Sequence, residues 1–276
     1  MKKSVIKVIA TLAVLASVFS VSAKDKFRTT AQIKKSKTIK VAVFSDKKPF
    51  GYVDEYGKYQ GYDVYFAERI AKDLGVKIKY VPVEPAQRVE VLATGKVDLV
   101  LANFTVTKER AEKVDFALPY MKVALGVVSS EKDPINNVED LNGKTLIIAK
   151  GTTAETFFTE KYPEVKLLKF DQYADAYNAL LDGRGAGLST DNTEVLAWTI
   201  ENKGFLVGSG VTSLGNLDTI APAVAKGNKD LLDWINKEIE TLGKENFFHA
   251  DYEATLRDVY GKNSDADSLV VEGGKL

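Results

Sequence analysis

Apolar residues form short continuous runs that alternate with stripes of helical spacing in the first half of the chain. Runs at residues 38–44, 76–83 and 97–102 predict buried strands. Between the first two runs, five apolar residues recur on one helical face: Val64, Ala67, Ile70, Ala71 and Leu74. A second, short helix is predicted to begin at Pro85 and end at Gly95. This order of strands and helices is typical of a mostly parallel sheet covered by helices.

The same order of elements starts again after an apolar segment at residues 121–130. Strands are predicted at residues 144–149, 165–170 and 186–189, with helices between and after them. The order repeats but the residues do not, so the pattern predicts two α/β lobes without a sequence repeat. From residue 228 the chain reads as helical, with apolar contacts at Leu231, Leu232, Trp234, Ile235, Ile239 and Leu242. The tail from Lys262 is polar and contains glycine, which predicts an extended or mobile end.

The N-terminal residues predict export. Lys2 and Lys3 precede an apolar run at residues 8–19, and small residues end at Ala23, where a signal peptidase would cut. The run is short for a bilayer span, so residues 1–23 are interpreted as a cleavable signal peptide, with a retained anchor helix as the alternative. The sequence contains no cysteine, hence no thiol for a lipid anchor and no disulfide. These features together predict a periplasmic protein.

Composition excludes several classes of function. Lys and Arg together number 38, as do Asp and Glu, so no net field favours nucleic acid or an anionic membrane. One histidine and no cysteine make a metal site unexpected, and His249 is expected to be structural. We find no nucleophile–base pair and no phosphate loop, and we expect no cofactor.

The first candidate binding segment follows the strand at residues 97–102. Asn103 and Thr105 come at its end, and Arg110 follows within one helical turn of Thr107. Strand ends in α/β sheets face ligand crevices, and the guanidinium fork of arginine matches a carboxylate. A small carboxylate-bearing ligand is the functional interpretation. The alternative is a solvated helix face, with Asn103 and Thr105 as ordinary turn and cap residues.

A second segment begins at Gly151, again after a predicted strand. A helix start offers free backbone N–H groups for a carboxylate, and glycine permits close approach of a ligand. The alternative is that Thr152 and Glu155 form a capping box and nothing more.

The third segment contains Asp191, where another predicted strand meets a helix. Asp191 could be an N-cap completed by Glu194, or it could pair with the ammonium group of a ligand. One arginine and one aspartate form the minimum charge set for a zwitterion, whose charges are costly to bury unpaired. Phe50, Tyr52 and Phe104 could supply an apolar wall, although such aromatic residues more often serve packing.

These segments together resemble the polar amino-acid-binding proteins of bacterial ABC importers, solute-binding protein family 3. The resemblance covers essentially the whole mature chain. It rests on Lys40-Val41-Ala42-Val43, Pro49-Phe50-Gly51-Tyr52, Gly61-Tyr62-Asp63-Val64, the segment from Thr105 to Phe116, Pro119-Tyr120, Gly151-Thr152-Thr153 and Asp191.

The resemblance implies a two-lobed, type II periplasmic binding protein fold, with two α/β lobes joined by two extended crossover strands. The crossings are expected near residues 123–130 and 219–226. The implied division is lobe 1 at residues 37–124 plus 222–261, lobe 2 at residues 125–221, and a C-terminal tail at residues 262–276. The helices after residue 228 would pack on the first lobe.

The resemblance also implies roles for the candidate residues. Arg110, Thr105 and the backbone amide of Thr153 would hold the α-carboxylate of an amino acid. Asp191, with the backbone or side chain of Asn103, would hold the α-ammonium. The expected partner is an ABC transporter permease, and the protein is expected to be a monomer that closes its cleft on the ligand.

Several stretches look most like the cysteine-binding branch, which makes cysteine the first ligand expected. They are residues 102–105, 119–127, 191–193, 247–249 and 272–275. Lys47 stands where histidine- or lysine-type binders carry a stacking aromatic, which disfavours those ligands. Glutamine, glutamate or aspartate, and cystine stay open, as do roles for Arg88 and Arg184.

Two other classes of function also stay open. The same fold hosts cyclohexadienyl-type dehydratases, and Glu155 or Glu84 would be the candidate acids. The chain could also report a ligand to a receptor. Neither is required by the residues, and we expect a binding protein rather than an enzyme.

Overall fold

Two main β-sheets and one small sheet organise residues 27–276, which are the residues that this computed structural model describes. The proposed signal peptide, residues 1–23, lies outside them. Over the described residues, no helix is both long enough and apolar enough to cross a membrane.

Fourteen strands and ten α-helices are found in this part of the chain. The strands are β1 (Thr38–Val43), β2 (Asp46–Lys47), β3 (Gly51–Val53), β4 (Tyr59–Gln60), β5 (Lys77–Pro82), β6 (Leu99–Val100), β7 (Val114–Phe116), β8 (Met121–Ser130), β9 (Thr145–Ala149), β10 (Lys166–Phe170), β11 (Gly187–Asp191), β12 (Phe205–Val207), β13 (Leu214–Ile220) and β14 (Ala223–Ala225). The helices are α1 (Thr30–Ser36), α2 (Tyr62–Leu74), α3 (Arg88–Ala93), α4 (Lys108–Ala111), α5 (Thr153–Lys161), α6 (Tyr173–Leu181), α7 (Asn192–Glu201), α8 (Lys229–Lys244), α9 (Phe247–Thr255) and α10 (Arg257–Tyr260).

The first lobe is built on a five-stranded sheet in the order β5-β1-β6-β14-β7. β1 runs parallel to β5 and β6, whereas β14 runs antiparallel to β6 and β7. The chain therefore leaves this sheet after β7 and returns to it with β14. The small antiparallel sheet β2-β3-β4 attaches here through Phe50, which is fully buried in the core of the first lobe.

Helix α2 covers the first sheet with the apolar face that the sequence predicted. Its C-cap Gly75 adopts the left-handed conformation that ends a helix (φ 70°), which favours glycine. Helix α8 is capped by Asn228, whose side chain accepts a hydrogen bond from the backbone N–H of Leu231. Its buried stripe also packs into the core of the first lobe, at Leu231, Ile235, Ile239 and Leu242.

The second lobe is built on a sheet in the order β10-β9-β11-β8-β12, with β13 also paired to β8. β9 lies parallel to β10 and β11, and β8 lies antiparallel to β11. Helices α5, α6 and α7 follow β9, β10 and β11 in the chain, as predicted. The carboxyl ends of β9 and β11 therefore lead directly into the helix starts that carry Gly151 and Asp191.

Strands β8 and β13 form the two extended crossings between the lobes. Met121 pairs with Ile220, and both are fully buried in the core of the first lobe. Leu125 pairs with Leu214, and both belong to a core cluster of the second lobe. The pair of strands therefore has one end in each lobe.

The C-terminal tail, expected to be extended or mobile, is packed, so the mobile alternative is wrong. Leu269 accepts a hydrogen bond from the backbone N–H of Lys122 at 2.7 Å, and Val271 donates to the carbonyl of Tyr120 at 3.0 Å. Leu269, Val270 and Val271 are buried. Three apolar residues within a polar segment are enough to form a bridge beside the start of β8. His249 holds the same tail through Glu272 and Asp267 and has a structural role, as expected.

Candidate functional site

Asn103 lies at the end of β6, where the first sheet faces the second lobe. Its backbone φ is +44°, and its N–H donates to the buried carboxylate of Asp63 at 2.7 Å. The residue is 2% exposed, and neither its side-chain oxygen nor its side-chain nitrogen has a hydrogen-bond partner among the described residues. A buried amide left without partners costs about 1–3 kcal/mol. The Asn103 side chain therefore has both a hydrogen-bond donor and an acceptor available for a polar ligand.

Arg110 is held by the short helix α4, where the Thr107 side chain caps its backbone N–H. Its guanidinium donates to the carbonyl of Thr105 at 2.8 Å and to the carbonyl of Gly151 at 2.9 Å. Among the ion pairs of the described residues, none involves Arg110. Burial, together with repulsion from Arg88, lowers the pKa of Arg110 to about 9, so it stays charged at neutral pH. Thr105 is itself buried.

Arg88 is a second buried guanidinium at the site, and its role was left open by the sequence. It is 3% exposed and donates only to backbone carbonyls: those of Pro85, Ala102, Asn103 and Gly151, at 3.0 to 3.2 Å. Burial lowers its pKa. The position of Arg88 near the predicted helix start at Pro85 gave no sign that its guanidinium would contact backbone carbonyls of the site.

The Phe104 ring lies close to both guanidiniums. The guanidinium carbons of Arg88 and Arg110 lie 4.5 Å and 4.9 Å from the centre of its ring. Such stacking stabilises buried cations by about 2 kcal/mol or more. Phe104 thus packs on the cations of the site, whereas the sequence suggested an apolar wall.

Gly151 brings the lobes into contact, because its carbonyl accepts from Arg88 and Arg110 of the opposite lobe. Its φ is +73°, and a Cβ added there would lie 2.5 Å from the Cα of Ala86. No side chain larger than hydrogen fits this approach without a shift of the lobes. The glycine is therefore required by both its backbone conformation and the lobe contact.

Thr152 and Thr153 start helix α5. The Thr152 hydroxyl donates to the carbonyl of Ala149 and accepts from the N–H of Glu155, so Thr152 is an N-cap, but the expected capping box with Glu155 does not form. The Glu155 carboxylate instead accepts from the N–H of Gly151 at 2.7 Å. Thr153 is the first helical residue, where a backbone N–H has no partner within the helix.

Asp191 ends β11, is 6% exposed, and stands at the N-cap position of α7. Its side chain makes no capping hydrogen bond, so the capping-box interpretation is wrong here. One carboxylate oxygen lies 3.2 Å from the ammonium of Lys47. Glu194, expected to complete the box, also pairs with Lys47 and accepts from the Thr190 hydroxyl at 2.8 Å.

Lys47 joins the site from the first lobe and has no exposed surface. Its ammonium also lies 4.0 Å from the centre of the Tyr173 ring. Burial disfavours the charged form, but the Glu194, Tyr173 and Asp191 groups outweigh it, and the pKa of Lys47 is raised. The sequence marked Lys47 only as a departure from an aromatic position. Its partners lie more than a hundred residues away, so local pattern could not reveal them.

The two remaining aromatic candidates lie apart from Arg110. Phe50 is buried in the core of the first lobe. Tyr52 lines a cavity between the lobes, of about 300 Å³, together with Lys48, Tyr177, Trp198 and Glu194, and neither Arg88 nor Arg110 lines it. Neither residue is brought to the guanidiniums.

The assembled site carries cations on one lobe and anions on the other. Arg88, Arg110 and Lys47 come from the first lobe, whereas Asp191 and Glu194 come from the second. The Asp191 carboxylate favours the charged forms of Arg88 and Arg110, so these groups share one electrostatic environment. Such a set suits a small molecule that bears both signs of charge.

Two further features bound the chemistry of the site. Behind it, burial raises the pKa of Asp63 to about 6, although hydrogen bonds from Tyr120 and Asn103 act against the shift. Within residues 27–276, no three His, Cys, Asp or Glu side chains stand together as metal ligands.

Comparison with known proteins places these features in context. Residues 39–253 match a family described as bacterial extracellular solute-binding proteins, family 3. The glutamine-binding protein GlnH of a Bacillus subtilis ABC transporter is 30% identical over 243 residues, which are 86% of this chain and 88% of that protein.

Two solved structures are more similar in sequence. A solute receptor for L-cysteine from Neisseria gonorrhoeae is 52% identical, with a TM-score of 0.86, over 89% of this chain and 100% of that one. A cysteine-binding protein from Campylobacter jejuni is 50% identical, with a TM-score of 0.86, over 88% of this chain and 98% of that one.

Proposed function

The chain belongs to the bacterial extracellular solute-binding proteins, family 3, and we propose that it captures a free amino acid, first of all L-cysteine, and delivers it to an ABC transporter permease. Its fold is the two-lobed, type II periplasmic binding protein fold that the sequence predicted. We further propose that it works in the periplasm after removal of residues 1–23.

The observation that carries this proposal is a pair of opposite charges on the two lobes: Arg110 lies on the first lobe and Asp191 on the second, and the Asp191 carboxylate favours the charged form of Arg110. Arg110 uses two of its five N–H donors on carbonyls of Thr105 and Gly151, which leaves donors for a carboxylate. The free N–H groups at the start of α5, from Thr152 and Thr153, would add to this subsite. Asp191, supported by the unpartnered side chain of Asn103, would accept the ammonium group.

Cysteine is proposed for two reasons. The two solved structures at 50% and 52% identity are named for cysteine. In addition, the Lys47 side chain already occupies the space beside Asp191, which favours a ligand with a short side chain. Glutamine, glutamate or aspartate, and cystine are the alternatives, and the GlnH relative makes glutamine the first of them.

Lobe closure would couple binding to transport. A ligand that pairs with Arg110 on one lobe and Asp191 on the other binds the closed form more tightly than the open form. Only such a difference in affinity shifts the population towards closure. The closed shape would then be the form that the permease recognises.

Calorimetry and thermal shift test the ligand. The panel is L-cysteine under reducing conditions, L-cystine, L-glutamine, L-glutamate, L-aspartate and L-arginine, since binding to the native state raises its melting temperature. L-cysteine is expected to bind and L-arginine is not. Binding of L-glutamine without L-cysteine would reject the ligand while leaving amino-acid capture intact.

The Arg110→Ala variant tests the carboxylate subsite. We expect it to lose about 3 kcal/mol, or roughly 100-fold in affinity, because a buried carboxylate loses its partner. Lys108→Ala is the matched control, since Lys108 is exposed on the same helix. Equal affinities of the two variants would contradict the assignment of Arg110.

Two further proposals have direct tests. A binding protein should leave prephenate-like acids unchanged, so product formation from prephenate would favour a dehydratase instead. Export predicts that protein recovered from the periplasmic fraction begins at Lys24, which N-terminal sequencing can determine.

A further inference from the structure

Lys47 makes an ion pair that crosses from one lobe to the other. Among the lysines of residues 27–276, it alone is buried. Its partners are Glu194 and, at 3.2 Å, Asp191, both on the second lobe. A lysine with no exposed surface is unusual because burying an ammonium is costly unless it is paired.

The backbone of Lys47 is fixed to the first lobe. It pairs with Gly51 across β2 and β3, and its carbonyl accepts from the N–H of Phe50 at 3.0 Å. Phe50 in turn is packed into the core of the first lobe. The ammonium can therefore meet Asp191 and Glu194 only when the two lobes approach each other.

Other contacts around this ion pair also join the two lobes. The Lys47 ammonium lies 3.3 Å from the hydroxyl of Thr190 and 4.0 Å from the ring centre of Tyr173. Tyr173 also packs edge-on against Phe44 of the first lobe, with ring centres 5.5 Å apart. Lys47 thus enters a prepared pocket of the second lobe.

Charge balance gives Lys47 a second effect. Asp191 and Glu194 place two carboxylates in one buried region, where their like charges repel each other unless a cation pairs with them. The Lys47 ammonium cancels one negative charge. One negative charge then remains, which equals what a single ligand ammonium can neutralise.

We propose that Lys47 is a positioning residue of the amino-acid site. Its ammonium docks between Asp191 and Glu194 of the opposite lobe, draws the lobes together before a ligand arrives, and leaves one negative charge for the ligand ammonium. The last effect concerns the site described under the proposed function and rests on it. The docking and the approach of the ligand-free lobes do not.

The lobe distance of the ligand-free protein tests the docking without reference to any ligand. The chain has no cysteine, so Lys35→Cys on α1 and Lys166→Cys on β10, both exposed and on different lobes, allow specific labelling with a fluorescent pair. Lys47→Met is expected to shift the transfer efficiency towards a longer distance. Lys48→Met, which removes the adjacent exposed lysine, should leave it unchanged. Equal distances in the two variants overturn the docking.

Ligand affinity tests the charge balance. Lys47→Met is expected to weaken L-cysteine binding by roughly tenfold or more, as expected for a truncated buried pair. Adding Glu194→Gln removes the excess negative charge, so the double variant should regain most of the affinity while its ligand-free lobes stay apart. No recovery in the double variant rejects the charge balance.

The outcomes separate this inference from the proposed function. If the unmodified protein binds no amino acid of the panel, the proposed function fails, and the ligand-free distances still decide the docking. If Lys47→Met does not fold, Glu194→Gln alone reports the same contact from the second lobe. It is expected to lengthen the ligand-free distance, and an unchanged distance would overturn the docking.

Discussion

Replacing Gly151 by alanine tests whether the lobes must touch at this point for the ligand to be held. The added Cβ would lie 2.5 Å from the Cα, 2.8 Å from the N and 2.9 Å from the Cβ of Ala86. Two of these neighbours are backbone atoms, which cannot turn aside as a flexible side chain can. Relief therefore requires the lobes to separate until the closest contact reaches at least 3.4 Å.

The magnitude follows from the hydrogen bonds that this separation stretches. The carbonyl of Gly151 accepts from Arg110 at 2.9 Å and from Arg88 at 3.2 Å. A further separation of roughly 1 Å takes both beyond hydrogen-bond range. A hydrogen bond to a charged group contributes about 1.5–3 kcal/mol. Loss of both bonds means that closure should lose about 3–6 kcal/mol, so that ligand affinity falls by at least roughly 100-fold.

Gly143→Ala is the matched control on the same lobe. Gly143 has φ +75°, close to the +73° of Gly151, but an added Cβ there meets nothing within 4 Å. Both variants therefore have the left-handed backbone cost, of order 1–2 kcal/mol, in their free energy of unfolding. Only Gly151→Ala should lose affinity.

The assay is calorimetric titration of the ligand, paired with urea denaturation of each variant. A Gly151→Ala protein with the affinity of Gly143→Ala would refute the reasoning. It would mean that the bound state does not need the contact between Gly151 and Ala86.

Three further predictions concern pH and core packing. Burial raises the pKa of Asp63 to about 6, so the native protein holds a proton that the unfolded chain releases near pH 4. Relative to Asp63→Asn, the free energy of unfolding should therefore fall by about 2–3 kcal/mol from pH 4 to pH 7. Parallel dependence on pH of the two proteins in urea denaturation would contradict this. Burial disfavours the His249 imidazolium, but Glu272 and Asp267 outweigh this effect and raise the pKa of His249. Attachment of the tail should therefore be complete below about pH 6.5 and weaken as pH rises through the native pKa. Amide exchange at Val271, corrected for its intrinsic rate, measures this attachment, and His249→Gln should remove its pH dependence. Ile239→Ala should lower the free energy of unfolding by about 2–5 kcal/mol, because the Ile239 side chain is fully buried. Glu240→Ala, at the exposed neighbouring residue, should change it by less than about 0.5 kcal/mol. Equal losses in the two variants would argue against the assigned core.

The elements with a clear period were predictable from local pattern. Helix α7 spans Asn192–Glu201, as expected, and α2 ends at Gly75 as its stripe predicted. Spacing of apolar residues depends on neighbours a few positions away, so the sequence contains this information directly. The tail was mispredicted for the opposite reason. Leu269–Val271 pair with residues about 150 positions earlier, and their polar surroundings hid the apolar core contact.

The candidate site, too, was predictable only where local pattern was sufficient. Arg110, Gly151 and Asp191 could be nominated because each follows a strand, and strand ends in α/β sheets open towards a crevice. Their assigned roles in binding stay predictions until ligand titration. The contact of Lys47 with Glu194, and the stacking of Arg88 on Phe104, depend on how separate segments pack.

The sequence by itself determined the alternation of strands and helices, the resemblance to a family of solute-binding proteins, and the residue types able to hold a zwitterion. These features are encoded by short-range pattern and by motifs of a few residues. Only the tertiary structure decided which charges face each other across the lobes. Lys47 meets Asp191 and Glu194 over about 145 residues of chain because two sheets, joined by paired crossings, bring their edges together.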